Sequence, residues 1–394
     1  MQETEKRSAR EIFGDIPFPL KIVVVVGSVF IVFVICYVTY VFTTFEPPKK
    51  SPRIISISGS YLAAGLLDPS ITNDGNRKVM AYTAVVNMTD GSFGTEVRTA
   101  MGVKNCFSWN ALGGKIEQRP DKLIGPDLLT PVADGFWRAE TPSIVYDPAD
   151  TGREWKIFAY RYFWSGSAPL ARLYGVIVMR STQSLLNPDW SSEEWLMSAS
   201  DSTPPQPYGN LVSIKLNTLH ADLSDAYFYA RPSVVNVDSV LVMSLSVFVQ
   251  GKDSPDRIIL LASTDHARSW RYLGTALRES DIQKIGSFSR LSGGSLFMKD
   301  KVMYMSVTLG TKDSDAAGAH VLEFEDASSA RLRRDPKTGS IAVTKHIQTL
   351  KKPPTRVGGG ALAYDDTCPE KTFISESINN QRHDIYVHPL SPVD

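Results

Sequence analysis

The chain has 394 residues, 43% hydrophobic and 21% charged, a balance that excludes a wholly disordered protein. Its 42 basic and 42 acidic residues cancel, which argues against a partner held by phosphate neutralisation, so no nucleic acid is expected. Three cysteines are too few for a disulfide scaffold or a four-cysteine zinc site, while 27 glycines, 24 prolines and 10% aromatics point to many short strands and turns.

Residues 1–21 read as a short N-terminal tail. Ile22 to Phe45 carries no charge and is closed by Lys21 and Glu46. At roughly 1.5 Å per residue such a run spans a hydrocarbon core of about 30 Å, so the sequence predicts a single transmembrane helix over 22–45. The run is longer than a signal-peptide core, and Phe42-Thr43-Thr44-Phe45 is a poor cleavage site, which favours an uncleaved signal anchor. A short tail before it and a large domain after it predict a cytoplasmic N-terminus and an extracytoplasmic C-terminal domain, with the lipid bilayer as a partner. Pro47, Pro48, Lys49 and Lys50 open a linker over 46–59.

From residue 60 to 394 one pattern recurs. Asp68-Pro69-Ser70-Ile71, Thr141-Pro142-Ser143-Ile144, Arg231-Pro232-Ser233-Val234, Gly293-Gly294-Ser295-Leu296 and Gly359-Gly360-Ala361-Leu362 each lead into a β-rich run such as Val79-Met80-Ala81-Tyr82. The starts at 69, 142, 232, 294 and 360 give spacings of 73, 90, 62 and 66, which suit four-stranded sheets with loops. Radial repetition of such sheets is a β-propeller, whose crowded inner strands favour Pro and small residues at their starts. The fold class read from the sequence is therefore all-β: a five-bladed β-propeller behind a single N-terminal transmembrane helix. A β-sandwich with similar strands is the competing reading, and the 90-residue unit has room for a sixth blade. Trp109, Trp190 and Trp270 read as blade packing.

Asp68-Pro69-Ser70-Ile71 resembles the first-blade motif of the five-bladed propeller glycosidases, the arabinanase and β-xylosidase-like and the invertase and levansucrase-like families. The resemblance implies a catalytic base or nucleophile at Asp68 and, from Glu140-Thr141-Pro142, a general acid at Glu140. This acid stands in the second unit, whereas the resemblance places it in the third, where the counterpart is Ala230. Ser263-Thr264-Asp265-His266-Ala267-Arg268-Ser269-Trp270 resembles the sialidase Asp-box, with Ala267 in place of its glycine.

Glycoside hydrolysis needs two carboxyl groups on either side of the glycosidic bond, one to give a proton and one to attack or activate water. Asp68 and Glu140 are the best available pair. Arg138, Arg231, Arg290 and Arg356 stand near the unit starts and would suit an anionic sugar, because a guanidinium holds a carboxylate or sulfate through two hydrogen bonds. Trp137 and Trp164 are candidates for stacking on a sugar face. No cofactor and no metal are expected. With the first and last blades adjacent in a closed ring, Cys106 and Cys368 are a possible disulfide. The function read from the sequence is a membrane-anchored, extracytoplasmic glycosidase-like propeller that hydrolyses a glycan; a non-catalytic propeller that binds a glycan or a protein is the alternative.

Overall fold

A computed structural model describes residues 52–393 except 60–62, 89–92, 104–105, 125–130, 166–171, 187–188, 201–207, 312–317, 348–356, 369–370, 379–381 and 390–391. Pro52–Asp394 forms one compact unit. Its strands make five separate sheets, and these are the five blades.

Blade 1 holds β3 (Gly65–Asn73), β4 (Lys78–Asn87), β5 (Phe93–Gly102) and β6 (Ser108–Ile116), and blade 3 holds β13 (Ala226–Val237), β14 (Val240–Val249), β15 (Arg257–Ser263) and β16 (Arg271–Arg278). Blade 4 holds β17 (Arg290–Lys299), β18 (Val302–Gly310), β19 (Ala319–Glu323) and β20 (Val343–Ile347). Blade 2 is larger. Around β8 (Pro131–Tyr146), β9 (Trp155–Ser165) and β10 (Arg172–Thr182) it adds β7 (Arg119–Ile124) on one side and β11 (Glu194–Ser198) and β12 (Ile214–Lys215) on the other. These additions and three short 3-10 turns account for the long second unit, which contains no sixth blade among the described residues.

Ring closure is made by chain ends that lie far apart in sequence. Blade 5 consists of β21 (Val357–Tyr364), β22 (Thr372–Ile378) and β23 (Arg382–His388), and its outer strand is β1 (Arg53–Ile54) from the other end of the domain. The next residues, β2 (Ser56–Ser58), run parallel to β6 on blade 1. Residues 53–58, within the expected linker, thus bridge the last blade to the first. Cys106 and Cys368 join the same two blades covalently, with Cα atoms 6.2 Å apart.

There is no single core. Five apolar wedges fill the spaces between successive blades, as with Val79, Ala81 and Val97 of blade 1 against Ile157 and Ala159 of blade 2. Middle strands are therefore covered on both faces. This explains why they read as continuous apolar runs rather than alternating ones: every residue of β15 is buried, and so is nearly every residue of β9. Two blades turn from inner to middle strand through two residues at positive φ, Asp238-Ser239 and Asp300-Lys301, the geometry that matches hairpin twist.

The membrane-anchored topology expected from the sequence is corrected. Among the described residues no helix is long and apolar enough to cross a membrane, and the one α-helix, α1 (Glu279–Ile285), has seven residues. A bilayer crossing needs about 20. The segment named for the crossing, residues 22–45, lies outside the described residues. The signal anchor, the bilayer partner and the single-pass localisation therefore have no support among the described residues, whose fold class is the five-bladed propeller.

Candidate functional site at the mouth of the axial channel

The inner strands share one irregularity. Each carries a register shift at its repeat motif: between Leu67 and Ser70, Glu140 and Ser143, Ala230 and Ser233, Leu291 and Gly293, and Val357 and Leu362. A bulge lets an extra residue turn out of the ladder. In the first three blades the residue before the proline takes the left-handed conformation, with φ of 48° at Asp68, 51° at Thr141 and 58° at Arg231. Non-glycine residues rarely adopt it, and strain of this kind, of order 1–3 kcal/mol per residue, collects at functional sites.

Below the bulges the inner strands are joined around the ring by the motif serines. Ser70 Oγ accepts from the Ile144 amide at 3.0 Å, Ser143 Oγ from Val234 at 2.8 Å and Ser233 Oγ from Leu296 at 2.8 Å. Each hydroxyl satisfies an amide of the next blade, which fixes the register between blades. The strands enclose an axial channel of about 280 Å³, and Asp68, Thr141 and Arg231 line the end at which the bulges lie. We refer to that end as the mouth.

Asp68 is half-buried, and its Oδ2 accepts from Thr83 Oγ1 on β4 at 3.2 Å. The same Thr83 oxygen accepts from the Thr141 amide at 2.9 Å. The Asp68 amide donates to Ser375 Oγ of blade 5 at 3.4 Å. Glu140 precedes the bulge of β8 and is half-buried, with Oε2 accepting from the buried Tyr162 hydroxyl at 3.3 Å. The Thr83 hydroxyl therefore connects the Asp68 carboxylate to the peptide unit that joins Glu140 to Thr141.

The four arginines do not form one cluster. Arg231 is at the mouth, where its Nη1 donates to the Ser292 carbonyl and to Ser292 Oγ of blade 4, the latter at 2.7 Å. Room for it comes from Gly293, since a Cβ there would lie 2.6 Å from Arg231 Cδ. Arg138 is buried with its guanidinium 4.3 Å from the centre of the Trp164 ring, a cation–π contact between β8 and β9. Arg290 is exposed at the start of β17. Arg356 lies outside the described residues.

Trp137 is fully buried, in edge contact with Trp195 at 4.9 Å and Phe163 at 5.3 Å, and its Nε1 donates to Asp121 Oδ2 at 2.9 Å. It is packing and not a sugar platform. Trp164 is half-buried beneath Arg138. On the strand segments that precede the bulges, an aromatic row runs from Tyr162 through Tyr160 and Phe228 to Phe248, the last two stacked at 4.1 Å. Tyr227 beside it is 45% exposed.

Sequence reasoning missed Thr83, Ser292 and the Tyr162–Glu140 bond. A signal existed for the first: Thr83 is a polar residue inside the otherwise apolar, fully buried run of β4. Ser263 to Trp270 forms a local turn in which Asp265 Oδ1 accepts from the Ser269 amide at 2.9 Å and from Ser263 Oγ at 2.8 Å. Ala267, at φ 75°, stands where the motif's glycine would be, and an Asp-box proper is not evident. Among the described residues no group of three or more His, Cys, Asp or Glu could hold a metal ion.

No protein family and no curated protein matches the chain. Solved structures do resemble it. A family 117 glycoside hydrolase of Zobellia galactanivorans is 10% identical, with a TM-score of 0.48 over 87% of this chain and 91% of its own. The α-L-arabinofuranosidase of Podospora anserina, solved with cellotriose, is 8% identical with a TM-score of 0.42 over 87% and 96%. The Trypanosoma rangeli sialidase, solved with the inhibitor DANA, is 11% identical with a TM-score of 0.41 over 86% of this chain and 58% of its own. These distant likenesses carry no chemistry to this chain, and the blade count rests on its own sheet order. The chain is a five-bladed β-propeller resembling the glycosidase propellers.

Proposed function

We propose that the protein is a glycoside hydrolase whose site is the mouth of the axial channel. Asp68 acts as base or nucleophile and Glu140 as the proton donor. The observation that carries this reading is the strained Asp68 at the mouth, held by Thr83, with Thr83 also bonded to the Thr141 amide next to Glu140. A carboxylate held in a costly backbone conformation beside a channel is better suited to a ligand than to the fold's own needs. Glu140, set by the Tyr162 hydroxyl on the neighbouring strand of the same blade, supplies the second carboxyl group that glycosidic cleavage requires.

A second reading is a glycan-binding propeller without turnover. It is favoured by Ala230 and Arg231 in the third blade, neither of which gives up a proton near neutral pH. Incubation of the protein with a panel of neutral and acidic oligosaccharides, with product release and binding measured together, separates the two. Product release by the wild type and not by Asp68→Asn supports hydrolysis. Binding without product for every glycan supports the second reading.

A further inference from the structure

We propose that Arg231 is a specificity-determining residue that selects a sugar bearing a carboxylate at the channel mouth, a uronic acid; this rests on the glycan-site reading above. The bulge position of the first three inner strands carries Asp68, then Thr141, then Arg231, so the mouth carries an anion, a neutral residue and a cation at equivalent places. A uronate brought next to Asp68 meets a like charge, and a fixed cation on the same rim offsets that repulsion.

Arg231 is held for this purpose in three ways. Its backbone is left-handed at φ 58°, a conformation that aims the side chain out of the ladder. Its Nη1 donates to two oxygens of Ser292, which orients the guanidinium plane. Gly293 leaves space for its stem where any side chain would meet Cδ and, at 3.0 Å, Nη1. An oriented guanidinium is suited to a planar carboxylate, because its parallel N–H groups match the two oxygens. A merely structural Arg231, tying blade 3 to blade 4 through Ser292, needs none of the exposure to the channel that this residue has.

The test uses the full chain and three matched probes: trigalacturonate, its methyl ester, and a sulfated neutral trisaccharide. Calorimetry gives the affinity of each for the wild type, Arg231→Gln, Arg231→Lys and Ser292→Ala. The acid is expected to bind the wild type at least about tenfold more tightly than the ester, as one charge-assisted bidentate pair allows. That ratio is expected to fall to near one in Arg231→Gln, and to intermediate values in Arg231→Lys and Ser292→Ala. A structural role would lower the unfolding midpoint and leave the ratio alone. Should Arg231→Gln not fold, Ser292→Ala still decides, because it keeps the charge and removes one of the orienting acceptors. Equal binding of acid and ester, a preference that survives Arg231→Gln, or stronger binding of the sulfated probe overturns the assignment while leaving the glycan site standing. Binding of no neutral or acidic glycan overturns both.

Discussion

Thr83 and Asp68 are joined by a hydrogen bond of 3.2 Å from a hydroxyl that is itself fully buried and that also accepts from the Thr141 amide at 2.9 Å. One side chain of blade 1 thereby sets the first candidate carboxylate and the backbone beside the second. Thr83→Val keeps the shape and removes both bonds. It is expected to cost about 1–3 kcal/mol, the penalty for leaving buried polar partners unpaired, and to reduce any glycan turnover. Thr83→Ser restores both. Urea unfolding of the three proteins checks the first part; an unchanged midpoint in Thr83→Val contradicts it.

The serine bonds between inner strands predict a larger role for Ser143 than its size suggests. Its Oγ accepts from the Val234 amide at 2.8 Å with both groups buried. Ser143→Ala orphans that amide, and a loss of about 1–3 kcal/mol is expected in the same unfolding measurement.

The Cys106–Cys368 bond spans a sequence separation of 262 and closes the ring where blades 5 and 1 meet. Cross-links over long loops constrain the unfolded chain most, so the Cys106→Ser, Cys368→Ser double variant is expected to lose ~2–5 kcal/mol. Lys78 reinforces the site. It is 9% exposed, donates to Cys368 Sγ at 3.2 Å and lies 5.6 Å from the Trp109 ring centre. Calorimetric unfolding with and without a dithiol reductant checks this: reduction should lower the midpoint of the wild type and not that of the double variant.

Stability should also depend on His320. Burial first, and then the adjacent His346 ring, push its pKa from 6.5 down to about 4. The folded imidazole therefore stays neutral over a range in which the unfolded one takes up a proton. Its contribution is complete above pH 6.5 and is lost progressively as pH falls toward 4. The slope in that window is at most about 1.4 kcal/mol per pH unit. His320→Phe, which keeps a ring against Phe288, should flatten the pH dependence of unfolding there; equal slopes for the two proteins would count against it.

The five blades were legible because their inner strands repeat a chemical device. Pro or Gly permits the bulge, and the following serine, in the first three blades, bonds the next blade. The position of Asp68 at an inner-strand start was legible for the same reason. The arginines were not, because position along a strand does not say which way a side chain turns: Arg138 lies on the Trp164 ring, whereas Arg231 is turned into the mouth by its own left-handed backbone. Trp137 was misread as a platform since aromatic residues in β8 look alike in sequence, and only the contacts with Trp195 and Asp121 identify it as interior. The role of residues 53–58 was hidden as well, because ring closure pairs them with strands far away in the chain.

The most direct test of the central claim is hydrolysis of a glycan that the wild type binds, compared between the wild type and Asp68→Asn. The account predicts product release by the wild type, a loss of at least about a thousandfold in Asp68→Asn, and retained binding, as expected when a group acting on the reacting bond is removed. Equal turnover by the two proteins, or binding of the glycan with no product from either, would contradict it.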